Sequence, residues 1–335
     1  MSEESLAVGL LAQLSEALAC FDAPHKETDQ LAEISRTDPA RFVRLFGKRM
    51  EALERRCCER DGVPVFSNLT GEIFCNVMIT CPDIRAVLER SGKFARMFVG
   101  EAQSSRLDRV GDAYRFCMVE RFSTRDDAAL LNDLIGLHYH HSLLSWLSGK
   151  RLALVGVELP YARPAHSHRL LELFKAPVHF DRPRNALLFD KSVLALPVLR
   201  TASELEAALD CFPYNFMIDA IDEHGLPIQV KLLMEHALGQ GRRIPSVSTI
   251  ATILHMSETT LRRQLRLQGS SYDELRASSL RTAAERLLSD REATIASVAH
   301  RLSFSDDRAF RRAFKGWTGM APSTFLSRNK VPPMD

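Results

Sequence analysis

A local pattern that occurs twice near the C-terminus leaves little freedom for what this chain folds into. Ile250-Ala251, Leu254-His255-Met256-Ser257 and Leu261-Arg262-Arg263-Gln264-Leu265 are matched by Val298-Ala299, Leu302-Ser303-Phe304-Ser305 and Phe310-Arg311-Arg312-Ala313-Phe314. The offset is 48 residues in the first part and 49 in the second, so one residue is added ahead of the second helix of the later copy. In each copy a small alanine lets two helices cross closely, a tight turn follows, and a serine is placed to cap the next helix. The spacing predicts one helix-turn-helix over about 248–268 and another over about 294–317.

Within each second helix the apolar pair, Leu261 and Leu265 or Phe310 and Phe314, shares one face and leaves the arginines on another. Arg262, Arg263 and Arg266, and in the later copy Arg308, Arg311 and Arg312, suit a major groove, where a guanidinium bonds guanine edges or pairs with phosphate. A merely solvated helix would more often mix signs by i, i+4 pairing. The stretch between the copies, 271–289, lacks Pro and Gly; as one helix of 19 residues it would be roughly 28 Å long. Major-groove faces on one side of B-DNA recur every ~34 Å. Such a helix would hold both reading helices on one side of a duplex, about one turn apart.

Charge divides along the same line. The last 110 residues, 226–335, carry 17 Lys and Arg against 10 Asp and Glu, which leaves 27 against 32 for residues 1–225. A basic segment is a candidate for polyanion binding. The polar stretch Asp222-Glu223-His224-Gly225-Leu226-Pro227 marks the boundary. The chain, 335 residues with 45% hydrophobic content, is long enough for two cores. Domains are expected over 1–222 and 226–330, the latter all helical: 228–239, 248–255, 258–267, 271–289, 294–302, 306–317 and 322–328.

Upstream, Leu6, Leu10, Leu14 and Leu18 at i, i+4 spacing predict a helix over 5–20, and Phe42, Leu45, Phe46 and Leu53 predict another over 40–60. A third is expected over 126–148 and a fourth over 203–211. Short β-like runs follow at 152–158, 177–180, 185–190 and 193–199. Helices first and strands later point to an α+β domain. The three imidazoles of His138-Tyr139-His140-His141 and the pair His166 and His168 lack the Cys or carboxylate that would complete a metal set, so a structural role is expected. Cys57-Cys58 lies among Arg55, Arg56 and Arg60, which could lower a thiol pKa, but cysteines on a helix's inner face are commoner. Seven unevenly spaced cysteines without a Cys-x-x-Cys pair read as reduced thiols. The chain has no Gly-rich phosphate loop, G-x-S-x-G or H-E-x-x-H motif, and no apolar run approaches the ~18 residues a bilayer needs. With an acidic N-terminus, Met1-Ser2-Glu3-Glu4, a soluble cytoplasmic protein is expected, with no cofactor, metal or membrane partner.

The segment Thr294–Phe325, with its turn, its Phe310-x-x-x-Phe314 helix, then Trp317, Gly319 and Pro322, resembles the signature of AraC/XylS-type transcriptional regulators. The resemblance extends over about 226–328. It implies an all-α DNA-binding domain with two helix-turn-helix motifs joined by a long helix. The family's base-contacting positions fall on Thr259, Arg262 and Arg263 in the first copy, beside Arg266 on the same helix, and on Asp307, Arg308, Arg311 and Arg312 in the second. Ser303 departs from the family's usual glycine at the turn; a left-handed serine there would cost on the order of 1 kcal/mol.

Residues of about 20–210, including Leu170–Phe180 and Asn185–Phe189, resemble the larger N-terminal effector domain of one branch of the family, the arabinose-binding type. That label does not specify a sugar. The resemblance implies double-stranded promoter DNA and RNA polymerase as partners, activation rather than repression, a small-molecule effector, and a homodimer. Two other readings stand beside it. One is an enzyme-regulator fusion of the DNA-repair methyltransferase type, which needs a reactive cysteine in a Pro-Cys-His-Arg setting; the nearest approach is Cys81 in Thr80-Cys81-Pro82-Asp83. The other is a DNA-binding protein indifferent to sequence, with steep salt dependence.

Overall fold

A computed structural model of the chain describes residues 6–21, 39–100, 103–164, 169–209, 225–239, 241–290 and 293–329. The chain forms two compact units, Met1–Glu223 with Thr252–His255, and His224–Ala251 with Met256–Asp335. The first is α+β and the second, among the described residues, is helical.

The first unit opens with α1 (Leu6–Ala19) packed on α2 (Pro39–Asp61), the two helices read from leucine and phenylalanine periodicity. Leu14, Leu18 and Leu53 lie in the core. Two helices follow that the periodicity did not mark. The first is α3 (Asn68–Met78), whose N-cap Ser67 accepts from Thr70 N; the second is α4 (Ile84–Ala95), whose N-cap Asp83 accepts from Ala86 N. The axis of the unit is α5 (Asp127–Ser148), started by Asp126, whose side chain accepts from Ala129 N. It is buried on almost every side, Trp146 included.

Five strands, β1 (Arg106–Val110), β2 (Ala113–Cys117), β3 (Gly156–Glu158), β4 (Val178–His179) and β5 (Ala186–Asp190), form one sheet in the order β1-β2-β5-β3-β4. β1 and β2 are a hairpin, with Arg106 opposite Cys117 and Val110 opposite Ala113. β5 pairs antiparallel with β2 and β3, and β3 runs parallel to β4. The expected strands at 152–158 and 177–180 shrink to β3 and β4. The run at 193–199 is not a strand: Asp190 caps a single helical turn, α6 (Lys191–Leu194), by accepting from Ser192 N. Beyond it the backbone makes isolated bonds, Val198 N to Pro82 O and Leu199 N to Leu147 O. The apolar content there reflects burial of Val193 and Leu194 without a ladder. The unit's last described helix is α7 (Ala202–Leu209). His166, His168, Cys211 and the expected boundary at Asp222–His224 lie outside the described residues.

The C-terminal helices are α8 (Leu226–Gly239), α9 (Val247–Ile253), α10 (Glu258–Leu267), α11 (Tyr272–Leu288), α12 (Ile295–Arg301), α13 (Asp307–Thr318) and α14 (Pro322–Asn329). The long α11, about 26 Å at 1.5 Å per residue, is the spine. It packs against α8, α12, α13 and α14. Its inner face is small or apolar: Ser279, Leu280, Ala283, Ala284 and Leu288 are buried. Phe310 and Phe314 of α13 close the core against Leu280, Val298 and Ala299. Among the described residues no helix is long and apolar enough to cross a membrane.

Candidate nucleic-acid interface

Both turns are built by the same two backbone bonds. In the first, His255 N donates to Thr252 O (3.2 Å) and Met256 N to Ala251 O (2.9 Å); in the second, Ser303 N donates to His300 O (2.9 Å) and Phe304 N to Ala299 O (3.0 Å). This pairing closes a helix through one residue in the left-handed region, a place glycine usually takes. Here His255 (φ 56°) and Ser303 (φ 59°) take it. The departure read at Ser303 is therefore matched in the first copy, and each turn stores a cost on the order of 1 kcal/mol. Ala251 and Ala299 are buried at the crossings, as their size allows.

The second helices start differently. Ser257 caps α10, accepting from Thr260 N at 3.1 Å. In the later copy the cap is Asp306 and not Ser305: Asp306 Oδ1 accepts from Ala309 N at 2.7 Å, while Ser305 Oγ donates to Asp306 Oδ2. The inserted residue moves the cap one position along, so that the 49-residue offset places Asp306 on Ser257. The bonds it accepts hold the Asp306 carboxyl below the usual carboxylate range, with Arg312 adding to the effect. A carboxylate at a helix N-terminus also meets the positive end of the helix dipole. α13 ends at Gly319, whose φ of 76° and bond to Lys315 O complete its C-cap.

Leu261 and Leu265, and Phe310 and Phe314, are fully buried, which turns the remaining faces of α10 and α13 outward. On α10, Thr259, Arg263 and Arg266 are exposed. Arg262 is half-exposed and tied to Glu258 one turn back, Nε to Oε1 at 3.0 Å. The basic face read from the sequence is thus neutralised at one position by an i, i+4 pair. On α13, Arg308, Arg311 and Arg312 are exposed and form no ion pair among the described residues. Asp307, half-buried in the first turn, does not pair with Arg311 as Glu258 does with Arg262. One methylene fewer shortens its reach.

A third basic feature was not marked in the sequence. Beside the second turn lies a recess of about 830 Å³ lined by Arg243, Arg276, His300, Arg301, Ser303 and Ser305. These side chains come from the α8–α9 connection, α11, α12 and the turn, so no single helix face displays them. Hydroxyls, an imidazole and guanidinium groups in one concavity are a donor set for phosphate oxygens.

Among the described residues no group of three or more His, Cys, Asp or Glu is placed to hold a metal. His138 and His141 are buried, His141 Nε2 lying 2.8 Å from Leu152 O. Burial pushes His140 down to about 4, which keeps it neutral at physiological pH. Burial likewise raises the thiols: Cys57 to about 12, with Cys58 and Cys81 shifted in the same direction despite nearby Arg60, Arg121 and Arg90. Desolvation disfavours the thiolate by more than the adjacent arginines favour it.

Residues 70–198 match the family described as the N-terminal arabinose-binding domain of AraC transcription regulators, and residues 250–328 match a helix-turn-helix domain family. The ornithine utilization regulator of Pseudomonas aeruginosa is 28% identical over 187 residues, 55% of this chain and 54% of that protein. The regulator VqsM of the same organism is 28% identical over 112 residues, 33% of each chain. An uncharacterized HTH-type regulator of Mycobacterium tuberculosis is 36% identical over 84 residues, 25% of this chain and 24% of its own. The matched part is thus about half the length of the first relative and a quarter to a third of the others. The crystal structure of the transcriptional regulator CdpR from Pseudomonas aeruginosa aligns over 94% of this chain and 97% of its own at 19% identity, with a TM-score of 0.31, too low for a shared arrangement to be read from it. A match to the N-terminal domain of AraC transcription regulators followed by a match to a helix-turn-helix domain places the chain in the AraC family of transcription regulators.

Proposed function

We propose that the chain is a sequence-specific transcription activator that reads two adjacent major-groove segments of promoter DNA through α10 and α13. Thr259, Arg262, Arg263 and Arg266 serve the first segment, and Asp307, Arg308, Arg311 and Arg312 the second. The observation that carries this reading is the repeated turn, which presents an arginine-bearing helix face twice from one rigid spine. Arg243, Arg276 and Arg301 add phosphate contacts that position the protein without reading sequence. The domains proposed are 1–222 for effector sensing and dimerisation and 226–330 for DNA. Activation through RNA polymerase, effector control, homodimerisation and action in the cytoplasm follow from the family resemblance. A homodimer would present the double unit to paired sites.

The test is recovery of genomic fragments bound by the purified full chain, repeated with Arg263→Ala/Arg312→Ala. A shared motif of about 15–20 base pairs, lost in the double variant, is the expected result, each base contact removed weakening specific binding by about 1–3 kcal/mol. Random fragments, with binding that vanishes steeply as salt rises, would overturn specific regulation in favour of DNA binding indifferent to sequence.

A further inference from the structure

The N-terminal unit contains a half-open cavity of about 270 Å³, lined by α2, α3, α4, α5, the segment that follows β2 and the residue that precedes β5. Most of its wall is apolar: Phe66, Phe74, Phe94, Met118, Phe122 and Ile135. The rings hold one another in place, Phe74 edge-on to Phe94 at 5.2 Å between centroids and tilted against His140 at 5.5 Å. At interior packing density the space suits about a dozen non-hydrogen atoms. Ring and aliphatic carbon forms most of this wall, which suits an apolar ligand body better than a sugar, whose hydroxyls each need a partner.

The polar part of the lining holds donors, Arg121, Asn132 and several hydroxyls, and three carboxylates, Glu51, Glu54 and Asp133, so its acceptors carry more charge than its one guanidinium. Asp133 Oδ2 receives the Tyr161 hydroxyl and Asn185 Nδ2, each at 2.5 Å. Because Asn185 Nδ2 donates to the carboxylate, the amide orientation is fixed and Oδ1 is the free end. Asn185 is 3% exposed and its Oδ1 has no hydrogen-bond partner. A buried carbonyl left without a donor costs about 1–3 kcal/mol.

The hydrogen bonds on the Asp133 carboxylate come from neutral groups. The cations nearby are engaged: Arg121 pairs with Glu54 at 2.9 Å and donates to Pro64 O, and Arg125 pairs with Glu120 at 3.5 Å. Burial raises the Asp133 carboxyl to about 6, in spite of Tyr161, Asn185, Arg125 and Arg121, all of which lower it. His140 is neutral, so it adds no positive charge. A buried carboxylate of this kind lacks a bonded cation, and the adjacent amide oxygen lacks a donor. An ammonium group supplies both, and aromatic faces attract cations further.

We propose that this cavity is an effector site for a small arylalkyl amine, its ring against Phe74 and Phe94 and its ammonium donating to Asn185 Oδ1 and Asp133. The inference rests on the reading of this unit as the effector-sensing domain.

Isothermal titration calorimetry of the full chain tests it with phenethylamine, 3-phenylpropanoate of the same shape and opposite charge, and L-arabinose. Saturable one-to-one heat is expected with phenethylamine and none with the other two. Asp133→Asn should weaken the amine at least tenfold. Gly136→Leu is the variant that guards against misfolding: Gly136 lines the cavity, and a Cβ there meets Met118 Cε at 4.0 Å and nothing nearer. It should abolish binding without lowering the melting temperature. The proposal falls if phenethylamine gives no saturable heat, if 3-phenylpropanoate or arabinose binds as tightly, or if amine binding survives Gly136→Leu. DNA recovery with the same preparation separates the two readings. A shared motif without amine binding would sink the ligand assignment alone, whereas recovery of random fragments would sink the regulator reading whatever the amine does.

Discussion

The two helix-turn-helix units close their turns with the same pair of bonds and differ in what their outer faces carry. In the first, Glu258 takes up Arg262, and the cap is the uncharged Ser257. In the second, Arg308, Arg311 and Arg312 are unpaired among the described residues, and the cap is the charged Asp306. The anchors differ too, leucines in the first and phenylalanines in the second. A turn and two apolar anchors suffice to aim a helix; charge on the opposite face is set independently. α13 should therefore carry the larger share of DNA affinity and α10 the smaller.

The largest effect should come from the anchors. Phe310→Ala, at a fully buried ring that packs edge-on to Phe304, should cost about 3–5 kcal/mol and melt the second helix-turn-helix. Leu261→Ala should cost about 2–5 kcal/mol, at the lower end if α10 settles onto the gap. Hydrogen exchange resolved by segment would compare them; equal loss of protection in both units after either change would mean that the units do not anchor separately.

Removing Arg312 should weaken specific binding by about 1–3 kcal/mol, and removing Arg262 by less than 1 kcal/mol, because Glu258 already engages that guanidinium. Glu258→Gln should then strengthen binding and make it more salt-dependent, as the freed arginine meets DNA. Titration of a recovered fragment at two salt concentrations reads all three variants. Equal losses for Arg262→Ala and Arg312→Ala would break the proposed difference.

Backbone strain should be alike in the two turns. Ser303→Gly and His255→Gly, at φ 59° and 56°, should each stabilise the chain by about 0.5–1 kcal/mol in thermal unfolding, the relief of left-handed strain exceeding the added freedom of the unfolded chain. A gain in one turn alone would show that its partner side chain makes a compensating contact.

The smallest effect is titration of the caps. Asp306 is held below the usual carboxylate range in the native state, so its contribution is present above its ordinary value near 4 and is lost as pH falls through the lower native value. Between pH 5 and 3, exchange at Ala309 N should rise while exchange at Thr260 N, capped by Ser257, stays flat. Parallel behaviour at the two amides would assign the change to global unfolding.

The C-terminal unit was legible because its signals are local. The bounds of α10, Glu258–Leu267, follow from two leucines at i, i+4 and a capping serine. Even the Glu258–Arg262 pair has a sequence signature in its i, i+4 spacing, hidden behind the run of arginines. The N-terminal unit was less legible. The β1–β2 hairpin spans Arg106–Cys117, where β1 buries no residue fully and so shows no clean alternation. Gly111-Asp112 was its usable sign, a turn pair between two short runs. α3 and α4 had sequence-visible caps in Ser67 and Asp83 but short apolar faces. At 193–199 the apolar run imitates a strand because burial, and not pairing, selects its residues. The cavity could not be read from the chain, since its lining runs from Gly47 to Asn185 and assembles only when four helices pack.

The most direct test is a hydroxyl-radical footprint on a recovered fragment. Two protected segments about 10 base pairs apart on one face of the duplex are predicted. Arg308→Ala/Arg311→Ala/Arg312→Ala should erase one of them and Arg263→Ala/Arg266→Ala the other. A single protected segment, or two that fade together under either set of substitutions, would contradict the claim that the two units read DNA separately.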